Sequence, residues 1–295
     1  MIRLVLILFA FTALCAEEKN IAVLDGTLFT DQMGVGSPVI IVHGAPALNQ
    51  NYLRPVFELL ADRNKVVFYD QRGCGKSTGL NNINIPTFLN DIEAIRKDLG
   101  VEKVTLIGHS WGAFLAMNYA IQYPDSVNKL VLLSSMPASK EEFDQFITVI
   151  MGRLAPIHKE LEEIESTESY KAGDPDTVEK QMKTVFTPYF FNPNDVKYVN
   201  FRLTREAFLN GSQVFKLLCE EVFFKPYDLY PQLANVKAPT LVLHGDYDPI
   251  PAESAEHVAK TIPNARFVTF VNCGHFPYAE VPHKNLQTIK AFLAE

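Results

Sequence analysis

Val104-Thr105-Leu106-Ile107-Gly108-His109-Ser110-Trp111-Gly112-Ala113-Phe114-Leu115-Ala116-Met117 is the stretch on which the fold turns. An apolar run, Val104 to Ile107, ends in Gly-x-Ser-x-Gly and passes at once into good helix formers, which is the pattern of strand, sharp turn and helix. A serine forced into a strained turn needs neighbours without a Cβ, so that strand and helix can approach closely. Ser110 is then expected to stand clear of the sheet, with the Trp111 N–H beside it as a donor toward a developing oxyanion.

Outward from this turn, strands and helices alternate. Asn20 to Thr30 flanks Asp25-Gly26, a hairpin signal that predicts an antiparallel opening to the sheet. Pro38 to Val42, Lys65 to Tyr69, Leu130 to Leu133, Pro239 to His244 and Arg266 to Val271 read as further strands. Leu53 to Leu60 has helical spacing, Pro86 opens a helix that Gly100 stops, and helices are expected over Ala252 to Ile262 and His283 to Leu293. This rhythm predicts a mostly parallel, doubly wound α/β sheet. It breaks between residues 136 and 228, where helical patches, prolines and acidic groups predict a helical cap inserted between two core segments, residues 17–135 and 229–295.

Residues 1–16 differ in kind. Arg3 precedes an apolar run, Leu4 to Leu14, and then Cys15-Ala16-Glu17-Glu18-Lys19. The run is too short to span a bilayer, so it is expected to be a secretory signal cut after Cys15 or Ala16, with a lipid-anchored form at Cys15 as the rival. Export to the periplasm or medium follows. Cys74, Cys219 and Cys273 remain, an odd number that permits at most one disulfide and excludes a disulfide scaffold. At 295 residues, 47% hydrophobic and 21% charged, the chain has ample material for one large core. A formal net charge of -7 without a basic cluster argues against nucleic acid or an anionic membrane as partner, and no stable membrane insertion is expected.

A serine hydroxyl is a weak nucleophile until a base takes its proton, and that base must be oriented by a third group. The two last strands end in His244-Gly245-Asp246-Tyr247-Asp248-Pro249 and Asn272-Cys273-Gly274-His275-Phe276-Pro277. His275 is expected to be the base and Asp248 its orienting carboxylate, with Asp246 as competitor; function in open α/β sheets gathers at the carboxyl ends of strands. The loop His43-Gly44-Ala45-Pro46 follows the right strand to supply a second oxyanion donor, the N–H of Ala45, since Pro46 has none. His43, His109 and His244 are read as structural. Gly75-Lys76-Ser77-Thr78 ends like a phosphate loop but lacks the glycine that Asp70 displaces, so no nucleotide is implied. Nothing has metal-ligand spacing, and no cofactor is expected. Cys273, near His275, is expected to make activity sensitive to thiol reagents.

The segments Tyr69-Asp70-Gln71-Arg72-Gly73-Cys74-Gly75-Lys76-Ser77, Asp91 to Gly100 and Gly108-His109-Ser110-Trp111-Gly112 resemble the proline iminopeptidases and related serine aminopeptidases of the α/β-hydrolase superfamily. The resemblance implies the α/β-hydrolase fold and an acyl-enzyme mechanism on short-peptide or other small-molecule substrates. The chain departs from it at His43-Gly44-Ala45-Pro46-Ala47, where that family carries His-Gly-Gly-Pro-Gly. In the aminopeptidases, cap glutamates bind the free amino group; Glu206, Glu220 and Glu221 are the candidates here. An exported aminopeptidase releasing N-terminal residues, proline among them, is therefore expected. The alternatives are an esterase or lipase acting on small esters or acyl chains, and a binding protein that keeps the fold without the reaction.

Overall fold

A computed structural model describes residues 16–295. The leader expected over residues 1–16, with its cleavage and lipid-attachment alternatives, lies outside the described residues apart from Ala16. The described residues form an eight-stranded sheet: β1 (Glu17–Val23), β2 (Gly26–Met33), β3 (Ser37–Val42), β4 (Asn64–Tyr69), β5 (Val104–His109), β6 (Val127–Leu133), β7 (Thr240–Gly245) and β8 (Ala265–Phe270). Their spatial order is β1-β2-β4-β3-β5-β6-β7-β8. β1 and β2 pair antiparallel around the Asp25-Gly26 turn, β2 pairs antiparallel with β4, and every other neighbour is parallel.

Helices cover both faces, which is why the central strands are apolar on both sides. β5 is buried at every position, and its side chains divide between the two cores: Val104 and Leu106 on one face, Ile107 on the other. Arg54–Phe57 (α1) continues into a 3-10 turn, Glu58–Leu60, so the helical spacing read over Leu53 to Leu60 is met by two short pieces. Ile85–Asp98 (α2) is capped by Asn84, whose side chain accepts the Thr87 N–H, and ends before Gly100 at φ +68°. Trp111–Gln122 (α3) packs against β5 and β6.

Between β6 and β7 the chain is helical among the described residues: Lys140–Leu154 (α4), His158–Ser166 (α5), Glu168–Lys171 (α6), Pro175–Phe186 (α7), Arg205–Leu218 (α8), then a π-helical turn, Cys219–Phe223, and Tyr230–Leu233 (α9). Where this segment leaves and rejoins the sheet, Lys140 N–H donates to Tyr227 O and Leu229 N–H to Ala138 O, each at 2.9 Å. Ala252–Thr261 (α10), Pro277–Glu280 (α11) and Pro282–Ala294 (α12) complete the chain. No helix among the described residues is long and apolar enough to cross a membrane. Cys74, Cys219 and Cys273 are all free thiols.

Candidate active site

The turn after β5 is as tight as its glycines require. A Cβ on Gly108 would lie 2.4 Å from Gly112 O, and one on Gly112 would lie 2.1 Å from Val42 O. Ser110 itself adopts φ +55° and ψ -119°, a conformation that costs a non-glycine residue roughly 1–3 kcal/mol. Backbone bonds hold it there: Ser110 N–H donates to Leu133 O at 2.9 Å, and Ser110 O accepts from Ala113, Phe114 and Met136. Its side chain lines a cavity of about 640 Å³.

His275 lines the same cavity. Its Nδ1 lies 2.9 Å from both oxygens of Asp248, so the imidazole donates there, and Nε2 has no hydrogen-bond partner among the described residues. Burial opposes charge on Asp248, but the nearby His275 and His244 rings, with hydrogen bonds from His275 and the Ile250 N–H, outweigh it and bring the carboxyl down to about 2. Asp246 does not reach the imidazole. Its Oδ1 accepts the Cys273 N–H at 3.1 Å and ties the two loops together, so of the two aspartates it is Asp248 that meets His275.

Ala45 and Trp111 also line the cavity. Ala45 sits at φ +41°. Among the described residues neither its N–H nor that of Trp111 has a protein acceptor. For Trp111 this follows from its place in the first turn of α3, where N–H groups have no partner within the helix and the helix dipole favours negative charge.

The Asp-Gln-Arg segment after β4 frames these loops. Asp70 accepts the Gln50 and Lys76 N–H groups and Ser77 Oγ donates to Asp70 O, so the phosphate-loop-like sequence is a turn folded on its own aspartate. The Gln71 side chain donates to His43 O and accepts the Trp111 indole N–H at 2.9 Å, joining the loop after β3 to α3. Arg72 makes a fully buried two-pronged ion pair with Asp91 of α2, at 2.7 and 2.8 Å.

Several functional neighbours carry no signal in the sequence. Tyr52 and His109 link the loop after β3 to the histidine loop, and both line the cavity. Glu280 accepts N–H bonds from Gly274, Phe276 and Phe191, clamping the histidine loop to the segment before α8. Tyr189 O accepts the His275 N–H at 2.9 Å. Most of these contacts join distant parts of the chain, and no short motif encodes them.

The cap glutamates expected at an amine site stand apart from the cavity. Glu206, Glu220 and Glu221 are exposed and outside the cavity, with Glu221 paired to Lys225 at 2.6 Å. Acidic residues on a helix that packs one face inward stay on the hydrated face. The ammonium and carboxylate groups that do line the cavity are those of Lys140 and Asp144, and these bond to each other. The remaining lining is largely Phe, Tyr, Ile, Leu, Val and Met. Cys273 is buried and burial pushes its thiol well up, so the expected reactivity beside His275 is corrected; Cys219 is the thiol at the cavity wall. Among the described residues no group of three or more His, Cys, Asp or Glu side chains could hold a metal ion.

A family model described as alpha/beta hydrolase fold matches residues 37–282. A proline iminopeptidase of Saccharolobus solfataricus is 29% identical over 275 residues, covering 88% of this chain and 86% of that protein. One from Heyndrickxia coagulans is 28% identical, covering 89% and 92%. Among solved structures, the proline iminopeptidase of Mycobacterium smegmatis superposes with a TM-score of 0.70 at 21% identity, covering 94% of this chain and 98% of that one. A thermophilic esterase from Thermogutta terrifontis superposes at 0.69 with 25% identity, covering 95% and 98%.

Proposed function

The chain belongs to the alpha/beta hydrolase fold family, and from that premise we propose that it is a serine hydrolase whose substrate carries a large uncharged apolar group, a carboxylic ester above all. His275 Nε2 takes the Ser110 proton as Ser110 Oγ attacks the acyl carbon. The carbonyl oxygen becomes an oxyanion held by the N–H groups of Ala45 and Trp111, each such donor being worth about 3–4 kcal/mol. The bond to the alkoxide breaks as His275 returns the proton to it. Water, deprotonated by the same imidazole, then releases the acid and restores Ser110. Asp248 stays ionised throughout, in keeping with a carboxyl near 2, and steadies the imidazolium. Residues 136–228 act as the cap that closes over this chemistry.

The observation that carries the ester reading is the cavity lining, with its wide apolar wall and no carboxylate spare for a free amino group. A charged amine buried without an acidic partner is strongly unfavourable. The relatives named proline iminopeptidase favour a second reading, removal of N-terminal residues, proline among them, from short peptides. On that reading Asp144 would have to leave Lys140 for the substrate. Proline and alanine p-nitroanilides assayed beside p-nitrophenyl esters, with Ser110→Ala as control, separate the two. Ester turnover without anilide turnover supports the first, and efficient anilide cleavage overturns it.

Export completes the proposal. The leader over residues 1–16 is removed and the enzyme acts outside the cytoplasm; a mature N-terminus still at Met1, measured by mass spectrometry, would contradict this.

A further inference from the structure

The cavity does not end beside Ser110. The Trp111 ring, next in sequence to the serine, meets Phe223 edge-on at 5.5 Å. Phe223 stacks on Phe143 at 5.5 Å, with 25° between the rings, and lies 6.3 Å from Phe215. Phe143 in turn contacts Phe146 at 5.8 Å. All of these rings line one cavity, and its wall reaches the surface at Ile147, Phe215 and Phe224, which are 38%, 48% and 73% exposed.

A contiguous apolar rim of this kind is costly to leave in water and marks a place where an apolar group is meant to lie. The π-helical turn Cys219–Phe223 builds it. Phe215, Cys219 and Phe223 are spaced four apart, and the wider turn ends so that Phe224 joins the same wall; π turns recur at functional sites. The polar groups along the path are already engaged, Lys140 with Asp144 and Ser212 Oγ with Phe208 O. The rings of the path themselves offer no partner to a peptide backbone or an ammonium group; the buried unpartnered oxygen in the cavity wall, Gln181 Oε1, belongs to α7.

We infer that this path is a subsite for the alkyl chain of a medium- to long-chain carboxylic ester, laid along Trp111, Phe223, Phe143 and Phe215 and leaving between Ile147 and Phe224. The inference rests on the serine-hydrolase reading of the same cavity. A volume of about 640 Å³ is in the range of sites that enclose a ligand of drug size. Each methylene buried along the rings can raise kcat/KM by up to about fourfold.

The test is a series of p-nitrophenyl esters from acetate to decanoate, run with the full chain and with Ile147→Asp and Phe224→Asp, both at exposed positions and each checked for an unchanged melting temperature. A parallel pair, ethyl and decyl acetate, places the chain on the alcohol side instead of the acyl side. The expected result is a rise in kcat/KM of at least about tenfold with chain length in one of the two series. Both variants should lose about tenfold more on the long substrate than on the short one. A flat or falling dependence in both series, with acetate still hydrolysed in a Ser110-dependent way, overturns the chain subsite and leaves the hydrolase reading standing. Failure to turn over any ester, long or short, overturns that reading itself.

Discussion

The Tyr52 hydroxyl lies 2.8 Å from Nδ1 of His109, and the direction of that bond is fixed by its surroundings. His109 Nε2 lies 2.8 Å from the carbonyl oxygen of His275, so Nε2 carries the proton and donates there. Nδ1 therefore accepts from Tyr52, whose oxygen accepts the Gly44 N–H. One chain of bonds thus runs from the loop that carries Ala45 to the backbone of His275, and it sets the spacing between oxyanion donor and base.

Tyr52→Phe breaks this chain at its centre while keeping the ring. It leaves the Gly44 N–H and His109 Nδ1 buried and unpaired, at about 1–3 kcal/mol for each group. The expected outcome is a lower melting temperature and a kcat reduced about ten- to a hundredfold through misplaced groups, with KM nearly unchanged. An unaltered kcat would show that the chain is not needed for catalysis.

The same burial predicts acid sensitivity. Burial lowers His43 to about 4 and His109 to about 3, the latter helped by the neighbouring His275, whereas both titrate near 6.5 when unfolded. Between those values the unfolded chain binds more protons than the folded one. Stability should therefore fall as pH drops below about 6.5, by up to about 1.4 kcal/mol per pH unit for each histidine. The lowered Asp248 carboxyl contributes above its unfolded value near 3.8 and is lost only as pH falls through about 2, below this window. Urea midpoints between pH 7 and 4.5 measure the slope, and His109→Gln should remove one histidine's share of it.

Arg72 and Asp91 form a buried pair with both charges out of water. Arg72→Leu strands the carboxylate and should cost about 3–5 kcal/mol. Arg72→Leu combined with Asp91→Leu should recover much of that loss, because no charge is left unpaired. Equal losses in the single and double variants, read by urea unfolding, would contradict the account.

What the sequence made legible follows from local chemistry. The glycines at 108 and 112 are forced by backbone contacts under 3 Å, so the turn that carries Ser110 could be read from five residues. Asp25-Gly26 encodes its hairpin in the same local way. The stretch from Leu53 to Leu60 was legible only as helical spacing, since Leu53, Phe57 and Leu60 are buried whether the turns are α or 3-10. Tyr52, Glu280 and Phe223 escaped because each has a deciding partner far along the chain, His109, Phe191 and Trp111 respectively. That the cap glutamates face solvent was not legible for a related reason, as charge alone does not say which face of a helix looks inward.

Thiol chemistry separates the cysteines. Burial pushes all three thiols up, and Cys74 and Cys273 are fully buried, whereas Cys219 is half-buried at the cavity wall and open to a reagent. Iodoacetamide should label Cys219 first in the folded chain from Glu17 onward, slowing turnover by narrowing the cavity. Cys219→Ser should abolish both the label and the loss. Labelling of Cys273 at a comparable rate, mapped by peptide mass spectrometry, would contradict this.

The central claim is that Ser110 is acylated with the help of His275. Rapid mixing of enzyme with p-nitrophenyl octanoate tests it most directly. The account predicts a burst of one equivalent of p-nitrophenol per enzyme, an octanoyl adduct on Ser110, and loss of both in Ser110→Ala and His275→Gln. A burst that survives either substitution, or an adduct on any other residue, would contradict it.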